Sequence, residues 1–163
     1  MAELAAAATV MQLIQFSGVV LTGCYEYINK AKSATSELEK VINDVSGLEG
    51  ILRQLHLLMA DPDDERHALL KSLGRPDGPF QACSQALQKL HKKLRALTEA
   101  SSARRKLLWP LEEVKILEIL RRLGEQKQTF ILALAGDHAL ADAANAKQGK
   151  EAVEKLDDMK EVS

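Results

Sequence analysis

The sequence predicts an all-α protein, an up-and-down bundle of four long helices plus one short connecting helix. Three observations predict it. The chain is 46% apolar but only 4% aromatic, a Leu- and Ala-rich composition poor in the residues that strands favour. Apolar side chains recur at steps of three and four along most of its length, the period of a helix with one buried stripe. Its four prolines fall in or beside short turn-like stretches, which leaves helix-length runs between them. A length of 163 residues suits one domain with one core.

The first helix runs from about Leu4 to Lys32. On a wheel at about 100° per residue, Val10, Leu13, Ile14, Ser17, Val20, Leu21, Cys24, Tyr25 and Ile28 share a broad arc, with Phe16 and Tyr27 at its edge. Gln12, Gln15, Thr22 and Glu26 lie opposite, interleaved with Val19 and Gly23. In the second helix Ser36 and Glu39 stand in capping-box spacing. A narrow seam comes after them at Leu38, Val41/Ile42, Val45, Leu48, Leu52, Leu55 and Met59. Pro62 breaks it, Asp63 and Asp64 suit the start of a short helix around Glu65–Leu73, and "GRPDGP" is a loop by its turn chemistry.

A third long helix begins after Pro79, with Phe80, Cys83, Leu87, Leu90, Leu94 and Leu97 at heptad steps. "EASSARRKLLWP" ends it, and Pro110 is expected to open the last long helix at its first turn. There Leu111, Val114, Leu117, Leu120, Leu123, Phe130, Ile131 and Leu134 are expected to face inward, with Gly124 and Lys127 interrupting the seam. The bundle is expected to occupy residues 1–137. Residues 138–163, rich in Ala and charge, are expected to continue as an exposed helix that frays into a flexible tail.

Catalytic signatures are absent from the sequence. It holds no Gly-x-Ser-x-Gly elbow and no Gly-rich dinucleotide turn. Glu151 comes after Gly149-Lys150 where a phosphate loop needs a hydroxyl, and Ala144 stands where its first glycine belongs. His56, His67, His91 and His138 are scattered, so no metal or other cofactor is expected. Cys24 and Cys83 fall on apolar faces and read as buried thiols of a reducing cytosol. The chain is therefore expected not to be an enzyme, and its net charge of −1 gives no general reason to bind nucleic acid.

Two features stand out. From Leu4 to Tyr25 the first helix carries no charged side chain, although its outer face is polar. A signal peptide fits poorly, because basic residues are missing before it and glutamines interrupt it. Its length matches a membrane span, but the other three seams also need it as a partner, which favours a soluble bundle at rest. The second feature is a basic cluster: Lys89, Lys92, Lys93 and Arg95 on the third long helix, then Arg104, Arg105 and Lys106 on the connection after it, opposed in that stretch by Glu99. It reads either as a solvated face or as a patch for anionic lipid head groups. Nucleic acid is a weaker reading, because stacking aromatics are missing apart from Trp109. Trp109 and Pro110 also read as a plug over the bundle end.

"VMQLIQFSGVVLTGCYEYINKAKSATSELEKVINDVSGLEGILRQL" and "RRKLLWPLEEVKILEILRRLGEQKQTFILALAGD" together resemble the HeLo-like domains found at the N-termini of fungal STAND (NLR-like) receptors. The resemblance covers roughly residues 8–137. It implies a bundle similar to the HeLo domain of fungal heterokaryon-incompatibility proteins, and similar in kind to the four-helix domain of the necroptotic pseudokinase. It further implies a cell-death execution domain, cytoplasmic at rest and sent to the plasma membrane by oligomerisation. An upstream receptor or amyloid-signalling module would be its partner, and anionic lipids its target. The implied insertion segment is Ala5–Tyr25, with Val10, Leu13, Ile14, Phe16, Val20 and Leu21 as apolar contacts. The glycine-zipper spacing of such helices is only partly kept, at Gly18 and Thr22, with Gly23 out of register. No amyloid motif appears after residue 137, as expected of a domain cut from a longer protein. A non-lytic helical adaptor is the alternative.

Overall fold

A computed structural model describes residues 2–60 and 67–136. Every element among them is a helix: α1 Ala2–Ala31, α2 Ser36–Met59, α3 His67–Leu73, α4 Pro79–Glu99 and α5 Ser102–Leu134. Four are long and α3 is short, as the sequence predicts. Pro62, Asp63, Asp64 and Glu65, and the extension expected at 138–163, lie outside the described residues.

Each long helix packs against two others: α1 and α5 both lie against α2 and α4, and α3 touches α1. Side-chain pairs give the directions. Thr9 and Gln12 share a groove with Ser84 and Gln88, and further along Thr22 and Glu26 share one with Arg95 and Glu99, so α1 and α4 run in the same direction. Phe80, at the start of α4, meets Phe130, near the end of α5, at 5.4 Å, so these two run opposite ways. Gly47 of α2 lies beside Lys127 of α5. The missing Cβ gives the lysine room, since one built there would stand 2.6 Å from Nζ.

The seams of α2 and α4 are buried as their periodicity requires. Leu38, Val41, Val45, Leu48, Leu52 and Leu55 are inside on α2, and Phe80, Cys83, Leu87, Leu90, Leu94 and Leu97 on α4. Each such Leu or Phe removes apolar surface worth about 1.5–3 kcal/mol. Pro79 sits in the first turn of α4, where its missing N–H costs nothing. The loop before it needs Gly78, because a Cβ there would fall 2.7 Å from the Arg75 carbonyl oxygen.

Four local expectations are corrected. Thr35, rather than Ser36, caps α2: its Oγ1 accepts the Leu38 N–H at 3.2 Å. Tyr25 is 55% exposed, while Tyr27 is buried in its place. Pro110 does not open the last helix. α5 begins at Ser102, capped by the Ser101 hydroxyl accepting from Arg104 N–H, and Pro110 lies inside it. Lastly, Leu111 and Val114 point outward, 66% and 71% exposed, and Ile131 is partly out as well. The inner face of α5 is instead Ile116, Ile119, Leu120, Leu123, Phe130 and Ala133.

Candidate functional site

α1 presents two different faces. Val10, Leu13, Ile14, Val20, Cys24 and Tyr27 are buried in the core, and Phe16, Leu21 and Ile28 pack partly buried against it. The six expected insertion contacts (Val10, Leu13, Ile14, Phe16, Val20 and Leu21) therefore lie on the side that holds the bundle together. Outward are Met11, Gln12, Gln15, Val19 and Thr22, a neutral face where surface helices ordinarily carry Lys and Glu. The stretch Ala6–Ala31 is long and apolar enough to cross a bilayer by length and composition, with a third of its most apolar window buried.

Two hydroxyls of this helix are bonded within it. The Ser17 hydroxyl, fully buried, donates to the Leu13 carbonyl at 2.8 Å, and Thr22 donates to Gly18 at 2.9 Å. A hydroxyl bonded to its own helix keeps that partner wherever the helix goes. Gly18 and Gly23 have nothing within 4 Å of where a Cβ would stand, so they support no close helix crossing in this bundle. They open instead onto a shallow groove of about 650 Å³ against α4, floored by Leu94 and edged by His91 and Arg95. His91 meets Phe16 edge-on at 5.7 Å, and its buried Nδ1 has no hydrogen-bond partner.

The C-terminal end of α1 is clasped by α5. Tyr27 stacks on Trp109, ring centroids 5.7 Å apart and planes 28° from parallel, and the Arg105 guanidinium lies 5.7 Å from the Tyr27 ring centre. Burial pushes the Tyr27 phenol up, against the opposing pull of Arg105. Trp109 is thus the half-buried plug its sequence position suggests, and its partner is α1.

The basic cluster divides. Lys93 pairs with Glu112 of α5 at 2.6 Å, both side chains about four-fifths buried, and Arg95 lies 3.5 Å from Glu99. Arg105 turns inward, donating to the Ala100 carbonyl at 3.1 Å. Lys89, Lys92, Arg104 and Lys106 remain exposed. Arg104, Arg105 and Lys106 belong to the first turns of α5 rather than to a connection. Glu112 is the counter-charge that sequence reasoning missed: it lies nineteen residues from Lys93, beyond any i,i+4 pattern.

Both cysteines are free and buried, and burial pushes each thiol up to about 12. Among the described residues no three His, Cys, Asp or Glu side chains converge to hold a metal. Neither the family models, nor the curated proteins, nor the solved structures contain a match to this chain.

Proposed function

We propose that the chain is a membrane-acting execution domain of the HeLo-like kind. It rests in the cytoplasm as a single up-and-down bundle, and oligomerisation releases α1 to insert into the plasma membrane and permeabilise it, causing regulated cell death. The observation that carries this reading is the double character of α1. It is seated in the bundle by apolar contacts, its Ser17 and Thr22 hydroxyls are bonded within the helix, and its outer face carries no charge as far as Tyr25. Its 26 apolar-rich residues span about 39 Å as a helix, against a hydrocarbon core of about 30 Å. Moving apolar side chains from a protein core to lipid tails exchanges one apolar medium for another, and the hydroxyls carry their partners along. Gly18 and Thr22, one turn apart, keep part of the small-residue spacing through which copies of α1 could approach each other, while Gly23 lies out of register with them. Upstream, a receptor or an amyloid-signalling module supplies the trigger.

Dye release from anionic liposomes by the oligomerised chain tests this. Leu13→Glu is a poor probe because Leu13 is buried and the change would break the bundle. Gln15→Lys and Val19→Lys alter the exposed face alone, and they are expected to abolish release while leaving the thermal transition in place. Undiminished release from that double variant would contradict the proposal. A second reading, a non-lytic adaptor whose α1 never leaves, is favoured by the depth to which the inner face of α1 is buried. Hydrogen exchange on the oligomerised, lipid-free chain separates the two, because release deprotects the α1 amides and a fixed α1 does not.

A further inference from the structure

The groove between α1 and α4 changes from neutral to charged along its length. At its start, a volume of about 410 Å³ is lined by Thr9, Gln12, Gln15, Ser84 and Gln88. It continues over Gly18, Val19, Gly23 and Leu94, where the glycines' missing Cβ atoms leave it open. Among the lining residues charge enters at the far end alone, as Glu26, Glu99 and Arg95. Arg95 lies 3.5 Å from Glu99, which leaves that end one negative charge in excess. Of the other α4 cations, Lys89 and Lys93 face α5, and Lys92 is exposed outside the lining. From Thr9 to Glu26 the groove is about 26 Å long at a helical rise of about 1.5 Å per residue.

α5 delivers the chain to the neutral end of this groove. Phe130 meets Phe80 at 5.4 Å, and Phe80 stands one turn before Ser84. α5 stops one turn after Phe130, at Leu134, and Gly136 takes a left-handed φ of 61°, the conformation in which helices end and chains turn aside. Residues 137–163, which come next, lie outside the described residues, but their sequence carries a matching stripe. On a wheel at about 100° per residue, Ala141, Asn145, Gly149, Ala152, Leu156 and Met159 share one uncharged face. As a helix, the stretch from Ala141 to Met159 is about 27 Å long. Asp142 flanks the stripe at its start and Lys155 and Lys160 at its end, while the other charged residues from Lys147 to Glu161 fall away from it.

We propose that residues 141–159 occupy the α1/α4 groove of their own chain, as a helix running in the direction of α1. Residues 137–140 reach at most about 14 Å when extended, enough to pass one helix width of about 8–10 Å. The stripe then enters at the neutral end, where its Ala, Asn and Gly positions meet Gln and Thr side chains and the open glycines. Leu156 and Met159 come in last, with Lys155 and Lys160 arriving beside Glu26 and Glu99. A second copy or a separate partner fits less well, because it must displace a segment tethered at the mouth of the groove, at an effective concentration of roughly mM. This docking needs no membrane and no oligomer. It covers Gln15, Val19 and Thr22 in the resting chain, so under the proposed function the segment leaves before α1 does.

A spin label on Glu154→Cys of the full chain tests it, since both native thiols are buried. The label is expected to broaden the amide signals of Thr22, Gly23, Arg95 and Thr98 and to spare α2, at every protein concentration. Gly18→Leu fills the groove from the other side, with nothing within 4 Å of its Cβ to clash. It is expected to abolish that broadening while the thermal transition stays in place. Leu156→Asp, without the label, is expected to speed trypsin cleavage at Lys147 and Lys150 about tenfold. Absence of broadening along the groove, broadening that survives Gly18→Leu, or cleavage unchanged by Leu156→Asp overturns the inference. Broadening seen solely between a labelled and an unlabelled copy assigns the groove to a second copy and overturns it as well. None of these readouts uses lipid, so failure of α1 insertion and failure of this docking are told apart.

Discussion

Cys24 and Cys83 show what burial does to a single group. Each thiol is held neutral inside the core and pushed from the ordinary value of 9.0 up to about 12. A raised folded-state value means that stability is fully present below the unfolded value and is lost as pH rises towards the folded one. Between pH 9 and 12 the unfolded chain sheds these protons and the folded chain keeps them, so each cysteine removes about 1.4 kcal/mol per pH unit. Urea midpoints at pH 8 and pH 10 check this, and the lower midpoint is expected at pH 10. The same burial predicts that a thiol reagent modifies neither cysteine until the chain unfolds. Gly50 offers the converse case: it is exposed in the middle of α2, with nothing within 4 Å of a built Cβ. Gly50→Ala is expected to raise stability by about 0.5–1 kcal/mol through helix propensity, again read from a urea midpoint.

Among the elements, α5 departs most from local rules. It runs through Pro110, which lacks the N–H that would bond the Lys106 carbonyl four residues back and crowds that carbonyl with its ring. Because Pro110 is exposed, Pro110→Ala removes strain without opening a cavity. It is expected to stabilise the fold by about 1–3 kcal/mol, less the few tenths to 1 kcal/mol contributed by a freer unfolded chain. A fall in the thermal transition instead would show that the ring is needed where it stands. The clasp on α1 belongs to this scale too. Trp109→Ala is expected to speed hydrogen exchange in the last turns of α1 far more than in the middle of α2, because it removes the stacking partner of Tyr27. Such aromatic pairs contribute about 0.5–1.5 kcal/mol beyond the area they bury.

Legibility in the sequence depended on the number of apolar stripes a segment offers. α2 and α4 each carry one, opposed by charge, and their buried residues read directly from heptad steps. The N-terminal half of α5 offers two, Leu107-Leu111-Val114 and the one that continues into Ile116, Ile119 and Leu123, and only tertiary packing chooses the second. Pro110 reinforced the wrong choice, because proline is so common at helix starts that "SSARR" upstream did not read as the beginning. Tyr25 and Tyr27 straddle the edge of the α1 arc, so Trp109 decides between them. The basic cluster was visible as composition, but its division into paired and exposed members depends on Glu112, a partner across helices. The neutral outer face of α1 was fully legible, since it needs only the absence of charge.

At the scale of the whole molecule, the helices differ in what fastens them. α4 and α5 are tied by a largely buried ion pair, Lys93–Glu112, as well as by apolar contact. α1 is fastened by apolar packing along its length and by an aromatic clasp at one end. Breaking a largely buried pair strands a charge, whereas an apolar face can be given to lipid at little cost. On the proposed function, that asymmetry would make α1 the helix to be released. The most direct measurement places the helix by depth. With Trp109→Phe removing the native indole, Val19→Trp sets a single probe on the exposed face of α1, and the oligomerised chain is mixed with anionic vesicles whose acyl chains are brominated. Strong quenching is expected, appearing only after oligomerisation and deepest for bromines near the bilayer centre. Vesicle-bound, oligomerised protein with an unquenched indole would contradict the release of α1 into the membrane.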